Sequence, residues 1–272
     1  MREFYSDDAT FSAGLSGFLS WFESEGGDLL GESATTDNTD TFTISDLEDS
    51  DIAHLPLDDD RDLSQAKGVV AVTEVQCSWR ELEEYLARSD QDVIFEDNWD
   101  SYERSYRSSR SAFHDAADRG EFPAIEQDLT PFEDDFDPSL YEGALLLTEN
   151  QVDPAAVLFV DIPNYPLYLD LRHGHFDIDG EDVEGMMLSS FSTKEAWDEG
   201  GNSGLLQNYS IEINLASSSD TTLRMLALWN EAVSAGVESD SPLVLSQTIN
   251  KALASSERLS SICTGEIEIP DE

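Results

Sequence analysis

Apolar residues recur along this chain at two spacings, one typical of helices and one typical of strands. Between residues 10 and 23 they fall every three or four positions, and the run stops at two glycines, which predicts an amphipathic N-terminal helix. The apolar positions of this helix are Phe11, Leu15, Phe18, Leu19 and Phe22. Residues 209–215 instead place an apolar side chain at every second position, which predicts a strand.

The same two patterns predict most of the other elements. Strands are predicted at 41–44, 69–75, 93–95, 145–147, 156–162 and 262–269. Helices are predicted at 79–88, 99–119, 220–235 and 243–259, with a short one near Trp197. Ser78 and Glu81 have the spacing of a capping box at the start of the second helix. Because strands and helices follow one another without a regular βαβ period, we expect an α+β fold with a mixed, mainly antiparallel sheet and several packed helices.

Residues 31–66 differ from the rest, since eleven carboxylates there accompany a single arginine, Arg61. This composition predicts an acidic linker or long loop. The chain then divides into an N-terminal helical arm (1–30), the linker (31–67) and a main α+β domain (68–272). The N-terminal helix either docks on its own domain or serves as an arm that docks on a neighbouring subunit.

The charge of the chain is extreme. Its 59 Asp and Glu oppose 14 Lys and Arg, of which only three are lysines, for a net charge of -45. Such a surface repels itself unless salt screens it, and the Debye length falls to about 3 Å at 1 M salt. We therefore expect a protein of a halophilic archaeon or its virus, in the cytoplasm or in a virion. Ten of the carboxylates lie in residues 201–272, so this stretch is predicted to be buried.

Two cysteines, Cys77 and Cys263, allow one disulfide, but their places beside predicted strands favour free buried thiols. The N-terminus lacks the pattern of a secretory signal, and no apolar run reaches the ~20 residues of a membrane span. We expect a soluble, intracellular protein.

The segment 172–180 holds two histidines and two aspartates at every second position: His173, His175, Asp177 and Asp179. This string resembles the HxHxDH signature of metallo-β-lactamase-fold hydrolases. The resemblance implies a zinc-dependent hydrolase with these four residues as candidate metal ligands. Asp182, in the acidic loop that follows, is a further candidate ligand for a divalent cation. Ile178 replaces the last histidine of the signature, and no histidine follows His175.

A second interpretation of the same segment is a hairpin that turns at His173 and Gly174. Leu171 then faces Phe176, and Leu169 faces Ile178, which gives one apolar face. No cofactor is otherwise predicted, although the acidic loops here and elsewhere could hold Mg²⁺ or Ca²⁺.

The predicted helix 99–119 carries Arg104, Arg107 and Arg110 beside an aromatic stripe. These arginines either pair with nearby carboxylates, bind an acidic protein partner or bind phosphate. Together with Phe11, Phe18 and Phe22 of the N-terminal helix they are the candidate partner-binding residues. Nucleic acid is not expected as a partner, because the net charge repels it.

No Walker loop, nucleophile elbow or dinucleotide fingerprint occurs in the sequence. We therefore expect a non-catalytic structural or assembly subunit that works in high salt through contacts with a protein partner or with copies of itself. The alternatives are the metal-dependent hydrolase at 173–184 and an acidic mimic of DNA that inhibits a nucleic-acid-binding protein.

Overall fold

The structure is a computed structural model that describes residues 1–57, 61–132, 136–155, 163–178, 181–234, 237–238 and 240–272. Within this part, the strands are β1 Thr43–Ile44, β2 Lys67–Val75, β3 Trp99–Tyr106, β4 Leu145–Pro154, β5 Tyr165–Ile178, β6 Glu181–Phe191, β7 Ala196–Trp197, β8 Ser203–Ala216, β9 Thr222–Ser234 and β10 Val237–Glu238. The helices are α1 Asp8–Ser24, α2 Asp49–Ile52, α3 Trp79–Ala87, α4 Gln91–Ile94, α5 Arg110–Arg119 and α6 Pro242–Cys263. Short 3-10 helices span Arg2–Tyr5, Gly26–Leu29, Thr39–Phe42, Leu63–Gln65 and Pro138–Tyr141.

The described strands form one sheet with the order β1-β2-β9-β8-β6-β5-β4-β3, and β10 and β7 pair with β9 and β8. Every pair of neighbouring strands is antiparallel. The expected α+β fold with a mainly antiparallel sheet and several helices is therefore confirmed.

Both faces of the sheet are covered. One face packs against the start of the chain, where Phe4, Tyr5, Phe11 and Leu15 are buried. This places the amphipathic face of α1 on the sheet of its own chain. The other face packs against α6, which lies across β2 and buries Ile249 and its neighbours. How the chain divides into an arm, a linker and a main domain stays a prediction.

The last helix, α6, is the main cover of the second face. Ser241 caps its first turn, because the Ser241 hydroxyl accepts a hydrogen bond from the Val244 amide, and Pro242 occupies a position where no amide donor is needed. Its last residue, Cys263, forms a disulfide with Cys77 just after β2, with the two Cα atoms 5.4 Å apart. The expectation of free thiols is wrong, because the helix brings its last turn back to the end of a strand 186 residues earlier.

Several predicted elements differ from the structure. Residues 99–119 are not one helix, because 99–106 pair with β4 and the helix begins only at Arg110; it ends at Arg119 with Gly120 as its C-cap, as expected. Val93 and Ile94 end α4, with Phe95 as its C-cap, and do not form a strand; Trp197 lies in β7 and not in a helix.

Three more differences concern the second half of the chain. The predicted hairpin at 173–174 is wrong, because β5 runs through both residues and Gly174 pairs with Gly185 of β6. Residues 222–234 form strand β9 and not a helix, and α6 continues to 263 where a strand was predicted from 262. The predicted strand at 156–162 lies outside the described residues.

Candidate functional site

A cavity of about 560 Å³ lies between α6 and the sheet. Residues of β2, β3, β5, β6, β8 and β9 form its floor, and α6 and the segment around α4 form its roof and side. Alternation along each strand explains the floor, because register partners such as Ser210 and Leu228 point to the same face. A cavity of this volume falls in the range that accommodates small molecules.

Most of the wall is apolar. It includes Trp99, Leu167, Leu169, Leu188, Leu226 and Leu228. Tyr165 also lines the wall and is buried, and burial raises the pKa of its hydroxyl above the ordinary value. Such walls offer water few hydrogen-bonding groups. Binding of an apolar ligand in the cavity is therefore stabilised by about 25 cal/mol for each Å² of apolar surface that is removed from water.

One ion pair stands in this apolar wall. Arg224 of β9 and Glu212 of β8 are both buried and both line the cavity. The Arg224 Nε donates to Glu212 Oε1 at 2.8 Å, and Nη2 donates to Oε2 at 2.9 Å. The Arg224 Nη1 donates to the hydroxyls of Ser255 and Ser256 on α6 at 2.8 and 2.7 Å. The pair therefore also fastens α6 to the sheet.

Uncharged polar groups surround a second part of the wall. The hydroxyls of Ser190 and Ser210 lie 2.6 Å apart. Asn208 and Asn230 are register partners on β8 and β9, and both line the cavity. The side-chain oxygen of Asn230 is buried and has no hydrogen-bond partner among the described residues. This oxygen can accept a hydrogen bond from a polar group of a ligand.

The exposed side chains of the lining mark where the cavity opens. Leu243 at the start of α6 is 48% exposed and Val233 of β9 is 36% exposed, yet both contribute to the wall. Two lysines, Lys67 and Lys251, also line the cavity.

The candidate metal ligands are not gathered into a metal site in the part of the chain that the structure describes. His173 is buried and stacks on the Phe113 ring at 4.1 Å, with its Nε2 3.1 Å from the Phe113 carbonyl oxygen. Burial lowers the pKa of His173 to about 4. His175 is exposed, and its Nδ1 lies 3.0 Å from a carboxylate oxygen of Asp182.

The side chain of Asp177 and the whole of Asp179 lie outside what the structure describes. Binding of Mg²⁺ or Ca²⁺ at acidic loops stays a prediction.

The three arginines predicted to bind a partner make contacts within the chain. Arg104 donates to the carbonyl oxygens of Leu86 and Arg88 at 2.8 and 2.7 Å, which satisfies the end of α3. Arg107 pairs with Glu149 at 3.1 Å. Arg110 pairs with Glu272. Their role toward a partner stays a prediction.

The three phenylalanines of α1 face the sheet to different degrees. Phe11 is buried between the Phe176 and Phe4 rings. Phe18 and Phe22 are partly buried and pack against the same core.

Sequence reasoning missed the cavity and its polar residues. One signal was present, since Ser190, Ser210, Glu212 and Arg224 interrupt otherwise apolar strand segments. The pattern alone does not say that these positions meet, because only the strand register brings them to one wall.

Comparison with known proteins gives matches among solved structures only. No protein-family profile and no curated protein matches the chain. A STAR-related lipid transfer protein fragment from Xanthomonas axonopodis has a TM-score of 0.42 and 8% identity, and the match covers 75% of this chain and 97% of that one. A START superfamily protein from Mycobacterium smegmatis has a TM-score of 0.37 and 7% identity, covering 74% and 99%. An aromatase/cyclase from a Streptomyces species has a TM-score of 0.37 and 8% identity, covering 74% and 95%.

The prediction of a non-catalytic structural or assembly subunit is wrong. The comparisons instead match the three solved structures just described, which are named as a START superfamily protein, an aromatase/cyclase and a STAR-related lipid transfer protein. The two alternatives, the hydrolase at 173–184 and the DNA mimic, are set aside with it. None of the described helices combines the length and the apolar character of a membrane span.

Proposed function

We propose that this chain binds a mostly apolar small molecule in the cavity between α6 and the sheet. The observation that carries the proposal is the cavity itself: about 560 Å³, with apolar walls and a few polar groups placed among them. Pockets with this combination are the usual sites for small ligands, because the walls supply affinity and the polar groups fix orientation.

The ion pair of Arg224 and Glu212 forms a polar patch in the mostly apolar wall of the cavity. Arg224 uses its donors on Glu212 and on the two serines of α6, so its position is fixed before a ligand enters. A fixed polar group loses little side-chain entropy when it binds, and this favours affinity. A ligand whose hydroxyl or carbonyl group contacts this polar patch would bind in one orientation.

The test uses the neutral apolar dye N-phenyl-1-naphthylamine and the full chain in 2 M KCl. We expect saturable binding with a rise in dye fluorescence. Leu226 lines the cavity, and replacing it with a larger ring in Leu226→Trp reduces the free volume. Dye binding should fall by about tenfold or more if roughly 1.4 kcal/mol of contact is lost.

The matched control is Leu140→Trp, the same change at a side chain that is 75% exposed. Near-ultraviolet circular dichroism checks that both variants are folded. Equal dye binding by the two variants, both folded, would refute the cavity as the binding site.

We further propose that the chain works in high salt. The support is its charge of -45 and its three lysines, since both features suit a solvent that screens repulsion. The expected location in a cytoplasm or a virion, and the expected protein partner or homo-oligomer, stay predictions.

A further inference from the structure

The charges that line the cavity have the opposite balance to the chain as a whole. The chain has 59 acidic and 14 basic residues. Among the described residues that line the cavity, Lys67, Lys251 and Arg224 are basic, and Glu212 alone is acidic. Two of the three lysines of the chain therefore line this one cavity, Lys67 from the sheet and Lys251 from α6.

Arg224 does not account for the excess, because Glu212 neutralises it with two hydrogen bonds. The excess positive charge of the lining therefore comes from Lys67 and Lys251. Lys251 on α6 donates to the backbone carbonyl oxygen of Asp97 at 3.2 Å, and no carboxylate of the described residues forms an ion pair with it. The carboxylates of Asp97 and Asp100 interact with the Lys251 ammonium group electrostatically, without a direct ion pair. Lys251 is partly buried, and this burial lowers the pKa of its ammonium group.

Lys67 lies at the start of β2, directly opposite Asn230 of β9. Its Nζ donates to the Ser64 carbonyl oxygen at 2.6 Å and is 4.0 Å from the half-exposed carboxylate of Asp46. Asn230 contributes the buried amide whose oxygen has no partner among the described residues. The Lys67 ammonium group can donate to an anion, and the Asn230 oxygen can accept a hydrogen bond from a hydroxyl or N–H group elsewhere on the ligand.

We infer that the ligand of this cavity is an amphipathic anion, with an apolar body against the leucine walls and a carboxylate or similar acidic group held by Lys67 or by Lys251. This inference rests on the proposed function. It opposes the bulk electrostatics, because a chain with a charge of -45 attracts cations and repels anions outside the cavity. At high salt the long-range repulsion is screened, while the short contacts with partly buried lysines remain.

The test compares three probes with the same ten-carbon chain and different head groups: decanoate, 1-decanol and decyltrimethylammonium. Each displaces N-phenyl-1-naphthylamine from the full chain in 2 M KCl at pH 7, below its micelle concentration. We expect decanoate to bind at least tenfold more tightly than decyltrimethylammonium, with decanol between them.

The lysines are tested one at a time. A hydrogen bond to a charged group is stronger than one between neutral groups, so at least one of the variants Lys67→Gln and Lys251→Gln should weaken decanoate about tenfold and leave decanol within twofold. Lys194→Gln is the matched control, since it removes the third lysine, which is exposed and does not line the cavity. Lys251→Arg keeps the charge and should retain decanoate binding.

The outcomes separate the two proposals. If the dye and all three probes fail to bind the folded chain, the proposed function fails. If decanol binds and decanoate binds no more tightly than decyltrimethylammonium, only the anionic ligand is refuted. Equal losses in Lys67→Gln, Lys251→Gln and Lys194→Gln would also refute it.

Discussion

Arg224 and Glu212 meet in the cavity wall through two parallel hydrogen bonds of 2.8 and 2.9 Å, and both side chains are buried. A fork of this kind is specific to arginine and a carboxylate, because the planar guanidinium matches the two carboxylate oxygens. Asn214 also donates to Glu212, at 3.0 Å. The pair thus joins two central strands to α6 at the same place where it meets the cavity.

Removing one partner of this pair should be strongly destabilising. In Arg224→Met the carboxylate of Glu212 stays buried without its counter-charge, and breaking a buried pair costs about 3–5 kcal/mol. The double variant Glu212→Gln with Arg224→Met removes both charges and should recover part of the loss. Urea unfolding in 2 M KCl measures the free energies for the double-mutant cycle.

Arg119→Met is the control, because Arg119 pairs with Glu121 on the exposed surface and its removal should change stability little. A loss in Arg224→Met as small as that of the control would contradict a structural role for the buried pair.

The parts of the fold that the sequence predicted correctly are those with local signals. Ser78 and Glu81 satisfy each other's backbone amides at 3.3 Å, as the capping box predicts. The apolar spacing of α1 and α6 likewise survives in the structure because each helix buries one stripe against the sheet.

The errors occur where the sheet overrides local preference. Strand β9 contains Leu, Met and Ala, which favour helices, but it lies between β2 and β8 and is covered on both faces. Residues 99–106 likewise form a strand because they pair with β4. Gly174 does not form a turn because it pairs with Gly185 of β6. At Gly185 the strands are so close that an added Cβ would lie 2.4 Å from the Asn214 carbonyl oxygen.

The candidate site was beyond sequence reasoning for a related reason. Ser190, Glu212, Arg224 and Lys251 come from four elements spread over about 60 residues, and each has a plausible surface role on its own. Only the strand register and the position of α6 bring them around one cavity.

The disulfide should make the attachment of α6 sensitive to reductant. Cys77 and Cys263 close a loop of 186 residues, for which the chain-entropy model gives a stabilisation of about 5 kcal/mol. We expect reductant to lower the melting temperature of the protein in 2 M KCl. The double variant Cys77→Ser with Cys263→Ser should melt at the lower temperature with or without reductant. Two reactive thiols in the native, unreduced protein would contradict the bridge.

Stability should rise with KCl. The repulsion among 59 carboxylates weakens as the Debye length falls from about 10 Å at 0.1 M to about 3 Å at 1 M. We expect the free energy of unfolding to increase over this range and then to level off, as followed by circular dichroism during urea titration. Full stability at 0.1 M KCl would overturn the proposal that the chain works in high salt.

On the face of the sheet opposite the cavity, Asp170 makes stability depend on pH. Asp170 is fully buried; the Tyr5 hydroxyl donates to its Oδ2, and its Oδ1 has no partner among the described residues. Burial raises the pKa of Asp170 from its ordinary value of 3.8 to about 8. The folded state then holds a proton between about pH 4 and pH 8 that the unfolded chain has released, so the free energy of unfolding falls as pH rises through this window.

The variant Asp170→Asn removes this titration and keeps an acceptor for the Tyr5 hydroxyl. The stability of the variant relative to the original chain should therefore increase between pH 5 and pH 9, by as much as several kcal/mol since each pKa unit corresponds to about 1.4 kcal/mol. Asp220→Asn, the same change at an exposed turn, controls for the loss of one surface carboxylate. If the two variants give parallel pH profiles in urea unfolding, Asp170 does not hold a proton in the folded chain, and the contact between Tyr5 and the sheet must be accounted for with a charged carboxylate.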